Sequence, residues 1–399
     1  MQVRRVLALL IAVLFVSVAA PLVAQRNNDN NKQPQRSASE QADIQALVQA
    51  VEVQLLSDVG ITVPPPGSQP PATPPAAKPL TLGSPDKTSG EVKVAWDSNH
   101  FVKGQTETYI PFTVQLDKAE LPSGAAVWVR IVNAEQAASF ASMVTTPPAK
   151  PSGNNNRNQP PVRTTFAWDN GSFVDVPEGG KLQRAIQLRP GQYVAYIAVK
   201  EKSAAAAGNQ RGNDRNRNDK NAPPPAAAPG KVGVLRHELT VPDFGQGDLV
   251  TSSVILARSV EQVSAPPTDQ ESNPYVFGPM RIVPSPDGKF AKGAELSVIF
   301  WIYGAQAAAS GKPDVEIAYN FYQKMGDSEK YFNKTAPQQL NAQTLPPEFS
   351  VAAGHQLPGS LVVPLASFPA ADYRLQITVT DKASGKSVMQ SVNFTVLPV

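Results

Sequence analysis

His100, His237 and His355 are the three histidines of a 399-residue chain that contains no cysteine. No H-E-x-x-H occurs, and without cysteine none of the common structural zinc clusters can be assembled. His100 ends the turn-like run Asp97-Ser98-Asn99-His100 and His355 follows Gly354, so both are expected at the surface. His237 shares a strand face with Leu235, Leu239 and Val241, and reads as a satisfied core or edge histidine.

Other chemistries are equally sparse. The chain has no G-x-S-x-G nucleophile elbow, no phosphate-binding G-x-x-x-x-G-K, no G-x-G-x-x-G and no EF-hand loop. Gly245-Gln246-Gly247-Asp248 is a lone glycine-rich turn, while Asp314 and Glu316 alternate with apolar residues as the solvent face of a strand does. No catalytic residue, metal ligand or cofactor site is therefore expected. Trp96, Trp128, Trp168 and Trp301 lie on predicted strands, where they fill a core or, in the sharper reading, present a sugar-stacking platform. Arg211, Arg215 and Arg217 sit among Asp214 and Asp219 without interleaved aromatics, the pattern of a solvated loop and not of a nucleic-acid site. If the chain has a binding surface, Trp96, Trp128, Arg211, Arg215 and Arg217 are its candidates.

The elements that would carry these residues are set by composition. Arg4 and Arg5, an apolar run from Val6 to Val16 and small residues up to Ala24 predict a cleaved export signal over 1–24. The run is shorter than the ~20 residues of a membrane helix, so no integral span is expected in the mature chain. The formal charge of +3 gives no general attraction to nucleic acid or anionic lipid. Residues 25–36 are polar and expected to be disordered. Ser37 and Glu40 have capping-box spacing ahead of Ile44, Leu47, Val48, Val51 and Leu55, which predicts an amphipathic helix over 37–60. Such a helix needs a partner, either one of the β domains or another chain. A Pro-rich linker follows over 61–89.

Beyond it the chain repeats itself. F-x-K-G occurs at Phe101–Gly104 and Phe290–Gly293, and Y-x-[AL]-x-I-x-V at Tyr193–Val199 and Tyr373–Val379. Val127, Val129 and Ile131 align with Val315, Ile317 and Tyr319. Short β-branched runs between turn residues predict a first β-sandwich over 90–245, with low-complexity insertions at 145–161 and 203–230. A connecting segment is expected over 246–272 and a second sandwich over 273–399. Asn170-Gly171, between two strand-like runs, predicts a type I′ hairpin turn. Tyr193 and Tyr373 each precede a small or apolar residue by two positions at the start of a strand, the signature of a tyrosine corner in an immunoglobulin-like domain.

The stretch Gly247 to Ala257, Phe277-Gly278 with Val283-Pro284, Phe290 to Gly293, and Tyr373 to Gly385 with Phe394-Thr395-Val396 resemble the β-sandwich C-terminal regions of secreted bacterial GWxTD-domain and VWFA-related proteins. The resemblance spans roughly Val92 to Val399 and implies fold and export. It lends no active site, since neither G-W-x-T-D nor D-x-S-x-S occurs.

The expected protein is thus all-β: two tandem immunoglobulin-like (fibronectin III-like) β-sandwich domains, one short N-terminal helix and disordered linkers. It is expected in the periplasm or outside the cell, with no enzymatic activity. Its expected work is interaction, as a scaffold or adhesion-type module for a protein partner or cell-surface component, presenting loops of the first sandwich. A carbohydrate-binding accessory module is the alternative, and a hydrolase with scattered site residues the third reading.

Overall fold

The computed structural model describes residues 36–62, 77–145, 164–203 and 230–398. The segments read as signal peptide, as disordered up to position 35, and as most of the Pro-rich linker and both insertions lie outside these residues, and so do Arg211, Arg215 and Arg217. The described chain is mostly β-sheet, with two α-helices. In chain order its first half comprises α1 (Ala38–Asp58), β1 (Lys87–Gly90), β2 (Val94–Asn99), β3 (Val102–Lys103), β4 (Thr108–Leu116), β5 (Ala125–Val132), α2 (Ala134–Thr145), β6 (Trp168–Val174), β7 (Lys181–Leu188), β8 (Gly191–Glu201) and β9 (Val232–Val241). The second half comprises β10 (Val250–Thr251), β11 (Ile255–Gln262), β12 (Val276–Phe277), β13 (Met280–Pro284), β14 (Lys289–Ala291), β15 (Glu295–Tyr303), β16 (Val315–Met325), β17 (Ser328–Lys334), β18 (Gln338–Leu340), β19 (Leu357–Pro364), β20 (Ala371–Asp381) and β21 (Ser387–Leu397).

Two sheets form each half. In the first, the order β1-β9-β8-β5-β6 faces a sheet in which β4 is flanked by β2 and β3 on one side and β7 on the other. In the second, β14-β21-β20-β16-β17 faces a sheet in which β15 is flanked by β10 and β11 on one side and β19 on the other. Each pair shares a core: Ile110, Phe112, Ile186, Ile197 and Leu235 in the first, Phe300, Tyr319, Phe321, Tyr373 and Leu375 in the second. Alternation in β16 follows directly, since Val315, Ile317, Tyr319 and Phe321 are buried while the residues between them are only partly so. Strand β8 does not alternate; Tyr193 to Lys200 is buried throughout. A strand buried on both faces needs a cover on its outer side.

Helix α1 is that cover. Ser37 and Glu40 complete the capping box, the Ser37 hydroxyl accepting from the Glu40 N–H and the Glu40 carboxylate accepting from the Ser37 N–H. Leu47, Val51 and Leu55 then pack on Ala126, Val194, Tyr196, Ala198 and Val234 of the outer sheet face. Of the two partners expected for this helix, the chain's own sheet is the one it meets. Just beyond the helix the Lys78 N–H donates to the Val59 carbonyl at 2.8 Å, joining the end of α1 to the chain on its return toward β1. Helix α2, which no sequence signal had predicted, adds Phe140 and Ala141 to the same layer.

The two sheet pairs also pack on each other. Tyr109 and Ala185 from the first meet Ile255, Ile299, Trp301 and Tyr303 from the second, with Tyr275 and Phe277. The Tyr109 hydroxyl donates to the Pro274 carbonyl at 2.8 Å, and the Phe101 and Ser253 main chains are bonded across the junction.

Several expectations change. Asn170-Gly171 is no turn: both residues lie inside β6, paired with Val129 and Trp128. A Cβ on Gly171 would lie 2.3 Å from the Trp128 ring and 2.8 Å from the Ile44 Cδ1, so the glycine is there to admit an indole beneath α1. The connecting segment contains β10 and β11, both paired with β15, so the second sheet pair begins well before position 273. The apolar run Tyr275–Val283 is not one strand but a tight antiparallel pair, β12 and β13. The two F-x-K-G matches sit in different sheets, since β3 pairs with β4 while β14 runs parallel to β21. When Val199 is set on Val379, their cross-strand partners are Val127 and Ile317, so the alignment of Val127 with Val315 is out by one strand period. A slip of two residues keeps every side chain on its face, which is why sequence patterning did not reveal it.

Candidate functional site

Among the described residues no group of three or more His, Cys, Asp or Glu side chains could hold a metal ion. The histidines are far apart in role. His100 is half-buried between the sheet pairs, with Nδ1 at 3.0 Å from the Tyr275 hydroxyl, and burial pushes its pKa down to about 4. The expectation of an exposed turn failed because the partner ring comes from the other half of the chain. His237 is stacked on Trp96 at 3.9 Å and its Nδ1 lies 2.7 Å from Asp86. His355 accepts the Ser350 N–H beside Phe349.

The tryptophans are likewise engaged. Trp96 is stacked on Phe112 as well as His237, and its Nε1 donates to Asn99 at 3.1 Å. Trp128 lies under α1 and donates to Asp169 at 2.8 Å. Trp168 packs against the first core and Trp301 against the junction. Tyr193 donates to the Arg189 carbonyl at 3.0 Å and Tyr373 to the Pro369 carbonyl at 2.9 Å, each four residues back along the chain.

The outer sheet face beneath α1 carries Arg130, Lys200 and Arg236, each no more than 5% exposed. All three are matched by acids from the helix. Lys200 meets Asp43, Arg130 meets Glu52 and, through two bonds, Asp169, and Arg236 meets Asp58 at 3.1 Å. These cations are spent on holding the helix and are not available to a ligand while it is seated.

The open chemistry lies in the second sheet pair. Strand β19 pairs with β15 over Glu295–Ile302, and no strand among the described residues occupies its other edge. A cleft of about 530 Å³ wraps that edge. One lobe is lined by Val298, Tyr319 and Leu340, which belong to the inner core, and the other by Val260, Ile282 and Ile299, which belong to the junction cluster. Ser360, Leu361 and Val362 stand between the lobes, half-buried. None of the lining residues is charged. Its polar groups are few and neutral: the Tyr319 hydroxyl, held protonated by burial, donates to the Gln338 Oε1 at 3.0 Å, with Gln339, Thr344 and Ser297 nearby. No histidine, carboxylate, lysine or arginine is among the lining residues beside the hydroxyls of Ser297, Tyr319, Thr344 and Ser360.

Sequence reading had placed no candidate here. The signal was present in Leu357-Pro358-Gly359-Ser360-Leu361-Val362-Val363-Pro364, an uncharged β run bracketed by two prolines, but nothing local reveals that its far edge is unpaired.

No family model matches this chain, and no curated protein does. No helix among the described residues is long and apolar enough to cross a membrane. Among solved structures it is similar to trypsin-activated alpha-2-macroglobulin from Escherichia coli, at 10% identity and a TM-score of 0.21, over 77% of this chain and 17% of that one. This chain thus spans about a sixth of that protein's length, and a likeness of this size carries no argument about fold or function.

Proposed function

We propose that this is an exported, non-catalytic protein of two immunoglobulin-like β-sandwich modules whose work is to hold another polypeptide, in the periplasm or outside the cell. The runs β2/β3-β4-β7 and β10/β11-β15-β19, set opposite β9-β8-β5-β6 and β21-β20-β16-β17, support the modular reading, as do the matched Tyr193 and Tyr373 bonds. The observation that carries the function is the uncharged cleft around the open edge of β19. Its volume and apolar lining suit a few side chains of a partner, and its neutrality disfavours a charged or heavily hydroxylated ligand.

The carbohydrate reading requires an indole face open to solvent. Trp96 is instead stacked on two rings and Trp128 covered by a helix, so no observation favours that alternative. The test is to probe the full chain and its Leu361→Arg variant against arrays of uncharged extended peptides and of glycans. Peptide signal that falls about tenfold or more in Leu361→Arg, with no glycan signal, is the expected result, a change of ~1.4 kcal/mol. Peptide binding indifferent to Leu361→Arg, or a glycan signal lost in Trp96→Ala, overturns the reading.

A further inference from the structure

We infer that β19 is an acceptor edge: an extended, uncharged segment of a partner polypeptide adds to it as a further strand of the β15 sheet. The inference rests on the polypeptide-binding reading above and specifies how the segment is held.

An edge strand presents unpaired N–H and C=O groups, and proteins normally guard such edges with charge, proline or a covering segment. Among the described edge strands of four or more residues, β19 alone carries no charged residue. Strand β1 carries Lys87, and β17 carries Glu329, Lys330 and Lys334. Strand β7, which stands in the first sheet pair where β19 stands in the second, carries Lys181 and Arg184, and its Ala185 N–H is already bonded to the Glu271 carbonyl at 3.0 Å. Strand β19 has no charged residue. Its main chain from Gly359 to Val363 takes no bond outside the β15 pairing among the described residues.

The two prolines define the length of the site. Pro358 and Pro364 have no N–H to offer, so the edge's donors are confined to Gly359–Val363, a window of about 17 Å at ~3.3 Å per residue. The lobes define the pattern. Successive side chains of a strand point to opposite faces, so a segment laid beside β19 sends alternate residues into the lobe at Tyr319 and Leu340 and into the lobe at Ser297 and Ile299. A cleft serving a rigid small molecule has no need to open on both faces of a strand. Strand addition requires it, with main-chain bonds supplying affinity and the lobes selecting side chains. A charged residue at any inward position meets no partner and is excluded by its desolvation cost.

The test uses the full chain and a defined probe, an acetylated and amidated nonapeptide of alternating valine and threonine carrying a fluorophore, read by anisotropy. Two further versions carry N-methyl groups on the odd or on the even amides. Only one set of amides faces β19, so one version is expected to bind like the parent and the other about tenfold or more weaker. Ser360→Lys, which places a charge on the edge, is expected to weaken the parent peptide while leaving the thermal midpoint unchanged. Equal binding of the two methylated versions overturns strand addition but leaves a polypeptide-binding cleft standing. Failure of the parent to bind, while array peptides still depend on Leu361, overturns this geometry as well. A dimer in sedimentation that Ser360→Lys dissociates identifies a second copy of this chain as the occupant and overturns the partner assignment.

Discussion

Lys200 of β8 donates to Asp43 of α1 in an ion pair whose side chains are 6% and 1% exposed. The Ser203 N–H and hydroxyl donate to the same carboxylate at 2.9 and 2.6 Å. A helix that could have been held by leucines alone is thus also tied by a buried charge. Asp43→Ala leaves the Lys200 ammonium uncompensated, and the expected loss is ~3–5 kcal/mol in urea unfolding. Asp43→Leu combined with Lys200→Met is expected to recover most of it, because replacing both charges removes the desolvation cost as well. A double variant as unstable as Asp43→Ala would show that the pair is not what fixes the helix.

The same carboxylate sets a pH dependence. Burial acts to raise the Asp43 pKa, but bonds from Lys200 and Ser203 outweigh it and hold the value below the usual range. A depressed folded pKa contributes stability that is complete above the unfolded value of ~3.9 and is lost as pH falls through the folded one. Stability measured from pH 5 downward (~1 unit above that value) is expected to fall more steeply in the native chain than in the Asp43→Leu, Lys200→Met double variant.

His100 acts in a higher window. Its folded pKa of about 4 lies below the ordinary histidine value of 6.5, so the unfolded chain binds the proton more readily. Stability is complete above pH 6.5 and declines toward pH 4 as the unfolded state gains charge. His100→Gln is expected to flatten the thermal midpoint between these limits while keeping a hydrogen bond to Tyr275. An unchanged slope would assign the dependence to other groups.

Gly171→Ala tests the reassigned Asn-Gly pair. A type I′ turn would lose positive-φ freedom in this variant, but here the new methyl meets Trp128 and Ile44. The expected cost is ~1–3 kcal/mol of overpacking, accompanied by a change in Trp128 fluorescence as α1 shifts. Asn170→Ala, which leaves that space open, is expected to cost less.

What the sequence made legible was whatever depends on local period and local chemistry. The capping box at Ser37, the central strands β4, β5, β8 and β9, and the spacing of Tyr193 and Tyr373 are written in neighbouring residues. What it hid depends on contacts distant in the chain. Gly171 resembles a turn until Trp128 and Ile44 are known to need its space, and His100 resembles a surface residue until Tyr275 arrives from 175 positions away. Strand β19 was hardest to find because its defining property is an absence of pairing, which no residue type encodes. The asymmetry between the two halves was visible as polar insertions in the first, yet the open edge belongs to the second.

The bond from the Lys78 N–H to the Val59 carbonyl has a practical use. The segment enclosed by that bond is closed at its root whatever its length, and doubling it costs only ~0.6 kcal/mol in closure entropy. Chain added between Val59 and Lys78 is therefore expected to cost little stability, which urea unfolding of a variant lengthened there would check. A reporter placed there would leave β19, in the other half of the molecule, untouched.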